Sequence, residues 1–323
     1  MKKSALFRII LWSCVLVILI AVAAIAFSGG FKNVNVEVSS FGAGGYHYSD
    51  SSKYLIGDFS VEADGINEIS VDWISGSVNI STNDGDKIIV SEDPAFDEDE
   101  QLRYYIKDGK ITIKFRKSGS YFGIFRKYKG KQLNISLPES LVLDDLDVEL
   151  VSSKLTADDL LAQDIDIDGV SGSIELRNVS SDEISIEVVS GSVNVSGKAD
   201  ELDIEGVSGS VDVEGEFRKL DIGTVSGSID ADGDFDIIDL ETVSGSKTLN
   251  VLCVPSQIRV EAVSGHTDIS LPKDTGLTIK SSAVSGSIRC NDEKLEKNST
   301  TKIGDGSVKL DIDTVSGSVD IEC

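Results

Sequence analysis

A four-residue phrase, Val-Ser-Gly-Ser followed by Val or Ile, returns about every nineteen residues through the second half of this chain. Counting degenerate copies, its first Ser falls at Ser75, Ser152, Ser171, Ser190, Ser208, Ser226, Ser244, Ser264, Ser285 and Ser316. From Ser152 onward the steps are 19, 19, 18, 18, 18, 20, 21 and 31 residues. A fixed period of roughly 20 residues or a little more marks a stack of repeats, because one repeat cannot bury its apolar face alone whereas neighbours can.

With that Ser as position zero, apolar residues recur at −6, −4, −1, +3 and +5. Around Ser208 they are Leu202, Ile204, Val207, Val211 and Val213, and around Ser75 they are Ile69, Val71, Ile74, Val78 and Ile80. A period of two rich in Val and Ile predicts strands with one buried face. The parity breaks between −4 and −1, at pairs such as Asp168-Gly169 and Glu205-Gly206, which predicts two short strands meeting at a corner there. The same parity points the Gly of the phrase inward and its two Ser outward; the alternative, in which Ser-Gly is itself the turn, stays open. Equivalent strands pairing from coil to coil at about 4.8 Å give an all-β, parallel β-solenoid about 38 Å long from Ser152 to Ser316. Its coils of about 18–21 residues are expected to be right-handed, as parallel crossovers nearly always are.

Four segments follow. Residues 1–29 carry Lys2, Lys3 and Arg8 ahead of an apolar run from Ile9 to Phe27. That run is about 29 Å long as a helix, enough for a transmembrane anchor with the rest of the chain outside the cytoplasm. A cleaved signal peptide ending near Ala24-Ile25-Ala26 is the alternative. Residues 30–57, rich in Ser and Gly, read as a flexible stalk. Residues 58–138 read as a small β domain with hairpin signals at Asp84-Gly85 and Asp108-Gly109. Residues 139–323 are the solenoid. Among the four cysteines, Cys290 and Cys323 fall in the last coils, but at different offsets, so a disulfide is not favoured.

Charge separates these parts. Between Gln101 and Gln132 ten basic residues face one acid and are interleaved with aromatics. Arg116, Lys117, Arg126, Lys127 and Lys129 are the candidates for contact with anionic lipid headgroups or envelope polymers. The plainer reading is a solvated hairpin whose aromatics cover the domain core. The remainder is so acidic that the net charge is −25. At offset −5 stand Asp147, Asp166, Asp203, Asp221 and Asp239, and at −3 Glu149, Asp168, Glu187, Glu205, Glu241 and Glu261. Stacked in register, they form two carboxylate ladders, although like charges on neighbouring strands cost about 0.2–1 kcal/mol per pair. Solubility, weak cation binding and attraction of a cationic partner each account for such a face; Asp166, Glu187, Asp203, Glu205, Asp221 and Asp239 are its candidate ligand residues.

The amino-terminal apolar run, the opening Asp72-Trp73-Ile74-Ser75-Gly76-Ser77-Val78, the Leu137-Pro138 step and the tandem phrases together resemble the putative-adhesin family of bacterial envelope proteins. The resemblance spans roughly Asp58 to Cys323 and implies a β-strand repeat protein at the outer side of a bacterial membrane. Some relatives are linked to envelope stress, and the family brings no catalytic residues. The late coils depart from the pattern: Lys247 sits at an inward position, His266 replaces the second Ser, Ser281 stands at −4, and an insertion runs from Asn291 to Asp305. They leave the register after Ser244 open.

The leading functional expectation is a non-enzymatic, membrane-anchored scaffold or binding module. It needs no cofactor and does not bind nucleic acid, and its partners are the membrane, envelope polymers or another envelope protein. The alternatives are capture of cationic peptides or cations in a stress response, and a polysaccharide-active enzyme. A catalytic site requires a unique cluster, whereas these carboxylates recur periodically.

Overall fold

The computed structural model describes residues 41–42, 45–94, 96–119 and 130–323. The apolar run and residues 30–40 and 43–44 of the expected stalk lie outside the described residues, and among those described no helix is long and apolar enough to cross a membrane. The described chain is all-β apart from one short 3-10 turn at Ser51–Lys53.

Parallel rungs stack along the chain. Strand Leu143–Asp158 pairs with Ala162–Ser171 and with the start of Ile174–Ser190. Ile174–Ser190 in turn pairs with the start of Val193–Ser244, and the end of that long strand pairs with Lys247–Val251 and Gln257–Ser264. The phrase serines stay in line: Ser152 opposite Ser171, Ser190 opposite Ser208, Ser244 opposite Ser264. Leu202, Ile204, Leu220, Ile222, Ile238 and Leu240 are fully buried between the faces. Each such side chain contributes roughly 1.5–3 kcal/mol on burial, so the stacked interior carries the fold.

The corner lies beyond the Asp168-Gly169 position, at the Ser-Gly turn that the sequence left as the alternative. Parity continues inward through −2, where Val188, Thr224, Thr242 and Ala262 are buried, and the valines at −1, Val170, Val189, Val207 and Val225, are only half-buried. The chain turns at Ser-Gly-Ser itself. Gly172, Gly209, Gly227 and Gly245 hold φ between 142° and 156°. A Cβ there would point along the stack into the preceding rung, 1.6 Å from the Gly191 carbonyl oxygen in the case of Gly209. Glycine is therefore required by axial contact between rungs, and not by a need for room inside.

A second turn falls six residues later, at Gly197, Gly215 and Gly233, with φ of 145–153°. In the two preceding rungs the equivalent residues are Asp159 and Asn178, at φ 57° and 51°. These residue types tolerate the left-handed region best after glycine. The third face beyond this turn buries Val179, Ala199, Phe217 and Phe235.

Both ends of the stack break sequence order in the same way. Strand Glu68–Asn83 lies between Leu143–Asp158 on one side and Lys110–Lys114 with Lys131–Pro138 on the other, all parallel. At the far end, Val308–Thr314 and Ser318–Glu322 insert between Gln257–Ser270 and the outermost rung, Leu277–Ala283 with Ser287–Cys290. The final coil is thus internal, and no bare edge is left at Cys323. The insertion after Asn291 caps the outermost rung instead: Ser299–Ile303 pairs antiparallel with Leu277–Ala283, and Glu293–Lys294 with Ser287–Cys290. Antiparallel strands Arg103–Lys107, Lys87–Asp93 and Phe59–Glu62 cover the other end. One continuous sheet of twenty strands results.

The stalk expectation fails from Gly45 to Gly57. Tyr46 is buried and exchanges backbone hydrogen bonds with Gly119 at 3.1 and 2.7 Å, while its hydroxyl accepts from the Phe115 N–H at 3.1 Å. Tyr48 packs between Tyr46 and Tyr54, and Leu55–Ile56 pairs with Arg103 and Tyr104. Aromatic burial outweighs the Ser/Gly composition that suggested flexibility.

Candidate functional site: an acidic face

The two predicted ladders form on one face. In the first, Asp147 lies opposite Asp166, Asp166 opposite Ser185, Ser185 opposite Asp203, and Asp239 opposite Arg259. In the second, Asp72, Glu149, Asp168, Glu187 and Glu205 follow one another, and Glu241, Glu261 and Asp313 continue beyond the gap at Gly223. All six candidate residues, Asp166, Glu187, Asp203, Glu205, Asp221 and Asp239, are brought to this surface. Period-two alternation puts them there: their strand neighbours point into the core.

Partial burial and like-charge neighbours both disfavour ionisation. Burial, then Asp72 and Asp147, push Glu149 up to about 8. Burial and Glu241 raise Glu261 to about 7. Asp203 rises to about 6 through burial and Asp221; Asp239 rises to about 6 through burial, against the opposing pull of Arg259. Asp166, Glu187 and Glu205 are raised for the same first reason. Asp239 Oδ1 and Glu261 Oε2 are buried oxygens without a hydrogen-bond donor.

Cations relieve the ladders only locally. Lys114 pairs with Asp72, Lys219 with Glu201 and, at 3.6 Å, with Asp221, and Arg259 with Asp239 at 3.4 Å. No ion pair among the described residues involves Asp166, Asp168, Glu187 or Glu205. The middle of the face is therefore a band of closely spaced carboxylates that gains free energy from any cation or proton placed on it.

The basic island is different from its expected form. Arg116 is buried against Glu100 at 3.2 Å, and Lys117 pairs with Asp99 at 2.8 Å. Arg116 is therefore structural and is no surface contact. Lys131 is buried as well, held by Glu92 at 2.7 Å and lying over the rings of Trp73, Phe115 and Phe96. Arg126, Lys127 and Lys129 lie outside the described residues.

Sequence reading missed Asp72 as a ladder member, although its −3 offset from Ser75 was visible. It also missed a group on another face: His266, Asp268 and Asp320, whose potential ligand atoms lie within 4.8 Å of one another. No local signal could have joined them, since 52 residues separate His266 from its register partner Ser318.

A stack of parallel rungs with the Ser-Gly-Ser phrase at one corner of each and an acidic outer face defines a class of repeat protein, and comparison with known families places this one within it. The Toastrack DUF4097 model matches residues 66–322, and the chain belongs to that family. Among solved structures, the chain is similar to a putative cell adhesion protein from Clostridium sporogenes, at 17% identity and a TM-score of 0.25, over 84% of this chain and 99% of that one. It is similar also to a putative adhesin from Bacteroides fragilis, at 13% identity and a TM-score of 0.40, over 83% and 97% of the two chains. Curated proteins give no significant sequence match.

Proposed function

We propose that this protein is a right-handed parallel β-solenoid, anchored outside the cytoplasm by its amino-terminal apolar run, that works without catalysis as an adhesin-like scaffold at the bacterial envelope. Its acidic face is the binding surface, and its partner is cationic. The observation that carries this reading is the unrelieved band from Glu149 through Asp168 and Glu187 to Glu205. A protein under no demand but solubility gains little by stacking half-buried carboxylates against one another at a cost to its own stability. The even spacing supports a docking surface over an active site, since catalysis requires groups with divergent roles at one place. Lys2, Lys3 and Arg8 ahead of the apolar run support the anchoring.

The test is binding of a lysine decapeptide to the full chain in detergent micelles, at low salt and at about 0.5 M NaCl, where screening is strong. The affinity is expected to fall with salt, and to fall again when Asp168→Asn, Glu187→Gln and Glu205→Gln, at three carboxylates without an ion-pair partner among the described residues, are combined. Equal affinity in the triple variant would overturn the reading.

A further inference from the structure

We infer that His266, Asp268 and Asp320 form a binding site for a divalent transition-metal ion such as Zn²⁺, separate from the acidic face. His266 Nε2 lies 2.8 Å from Asp268 Oδ1 and 3.7 Å from Asp320 Oδ2. A tetrahedral zinc ion with bonds of about 2.0–2.2 Å sets its ligand atoms about 3.3 Å apart, so small side-chain rotations bring all three into range. The other ring nitrogen, Nδ1, is 2.8 Å from Ser318 Oγ. With Nδ1–H donating to that hydroxyl, Nε2 is available to an ion that displaces the proton shared with Asp268, which is the way ligand imidazoles are commonly oriented by a second partner.

The repeat itself sharpens the assignment. Neighbouring rungs place Ser at the position of His266, namely Ser228, Ser246 and Ser318. One rung substitutes an imidazole, and the next in the stack supplies Asp320 directly opposite Asp268. Two carboxylates in register repel unless something positive lies between them. Arg289, on the far side of Asp320, reaches it only at 4.0 Å. Side chains of His266, Asp268 and Asp320 are each a third or more exposed, so an ion enters freely and keeps water in its remaining positions. An imidazole nitrogen selects transition metals over Mg²⁺ and Ca²⁺, which prefer all-oxygen sites.

The test titrates the full chain in detergent with ZnCl₂ in the presence of excess Mg²⁺, which occupies the oxygen-only carboxylates of the acidic face. One Zn²⁺ per chain is expected, with affinity falling at least about tenfold in Asp320→Asn and in His266→Ser, the latter restoring the residue found in neighbouring rungs; Ser318→Ala is expected to cost about tenfold through loss of ring orientation. The chain has only two histidines, His47 and His266. Histidine ring NMR signals therefore report the site directly, and Zn²⁺ is expected to move one of the two sets. Zinc binding that is unchanged in His266→Ser overturns the assignment. So does absence of saturable binding under excess Mg²⁺, which leaves His266 as an ion-pairing residue only.

Discussion

A Cβ placed on Gly227 would lie 1.7 Å from the carbonyl oxygen of Gly209, one rung away. The rungs touch backbone to backbone at this corner, and φ of 156° at Gly227 adds a conformation that other residues rarely adopt. Such a conformation alone costs roughly 1–3 kcal/mol, before the clash is resolved. Gly227→Ala is expected to lower the thermal midpoint sharply. Gly223→Ala, where a Cβ meets nothing within 4 Å, is the control. It is expected to stay within about 0.5 kcal/mol of the parent. Equal effects from the two would remove axial contact as the reason for the phrase.

Lys247 is the second point of leverage. Its ammonium is buried in the stack and donates to Thr242 Oγ1 at 2.6 Å, and burial lowers its pKa to about 8. The folded state holds this proton less tightly than the unfolded one, so the penalty is full below about pH 8 and disappears as pH rises toward the ordinary lysine value. Lys247→Met is expected to raise stability by about 3 kcal/mol at neutral pH, with the gain shrinking between about pH 8 and 10.5. Unfolding curves across that range check it. A gain independent of pH would assign the effect to packing.

Glu149 titrates in the opposite sense. Its pKa is raised to about 8, so the folded state holds its proton more tightly than the unfolded state does. The stability it contributes is complete below about pH 4 and is lost as pH rises through about 8. Glu149→Gln is expected to be stabilising by about 1–2 kcal/mol above pH 8, after allowance for solvent screening, and close to neutral at pH 4. Melting midpoints of parent and variant at the two pH values decide it.

Thiol reactivity reports on how tightly the outermost rung is closed. Cys253 is exposed, whereas Cys290 is buried and raised to about 12, first by burial and then by Cys323 beside it. Brief alkylation followed by peptide mass spectrometry is expected to label Cys253 well before Cys290. Equal labelling would mean that the outermost rung opens readily.

The inserted carboxy-terminal strands make a truncation test. Removing residues 308–323 strips a partner from both Gln257–Ser264 and Leu277–Ala283. The deletion is expected to expose the rungs on either side to proteolysis, whereas an end coil in sequence order would expose one.

Much of this architecture was legible in the residues. Leu202, Ile204, Val211 and Val213 are buried as their alternation requires, and the carboxylates at −5 and −3 line one face because they share that alternation. The corner was misplaced because Val at −1 and Val188 at −2 are chemically alike, so apolarity could not tell a half-buried residue from a buried one. The basic island misled for a related reason. Composition counts Arg116 and Lys131 as surface charge, but each has a carboxylate and a place in the core.

By itself the sequence determined period, strand parity and the charge of the outer face, because each depends only on near neighbours and on a regular step. Tertiary structure decided the order of the rungs. Strand Glu68–Asn83 takes its place beside Leu143–Asp158, and Ser318–Glu322 slots between rungs made earlier in the chain. Any edge strand of this stack offers the same hydrogen bonds and the same apolar columns, so local residues cannot specify which partner it meets. That choice brings Asp320 opposite Asp268 and within reach of His266, the juxtaposition on which the proposed ion site rests.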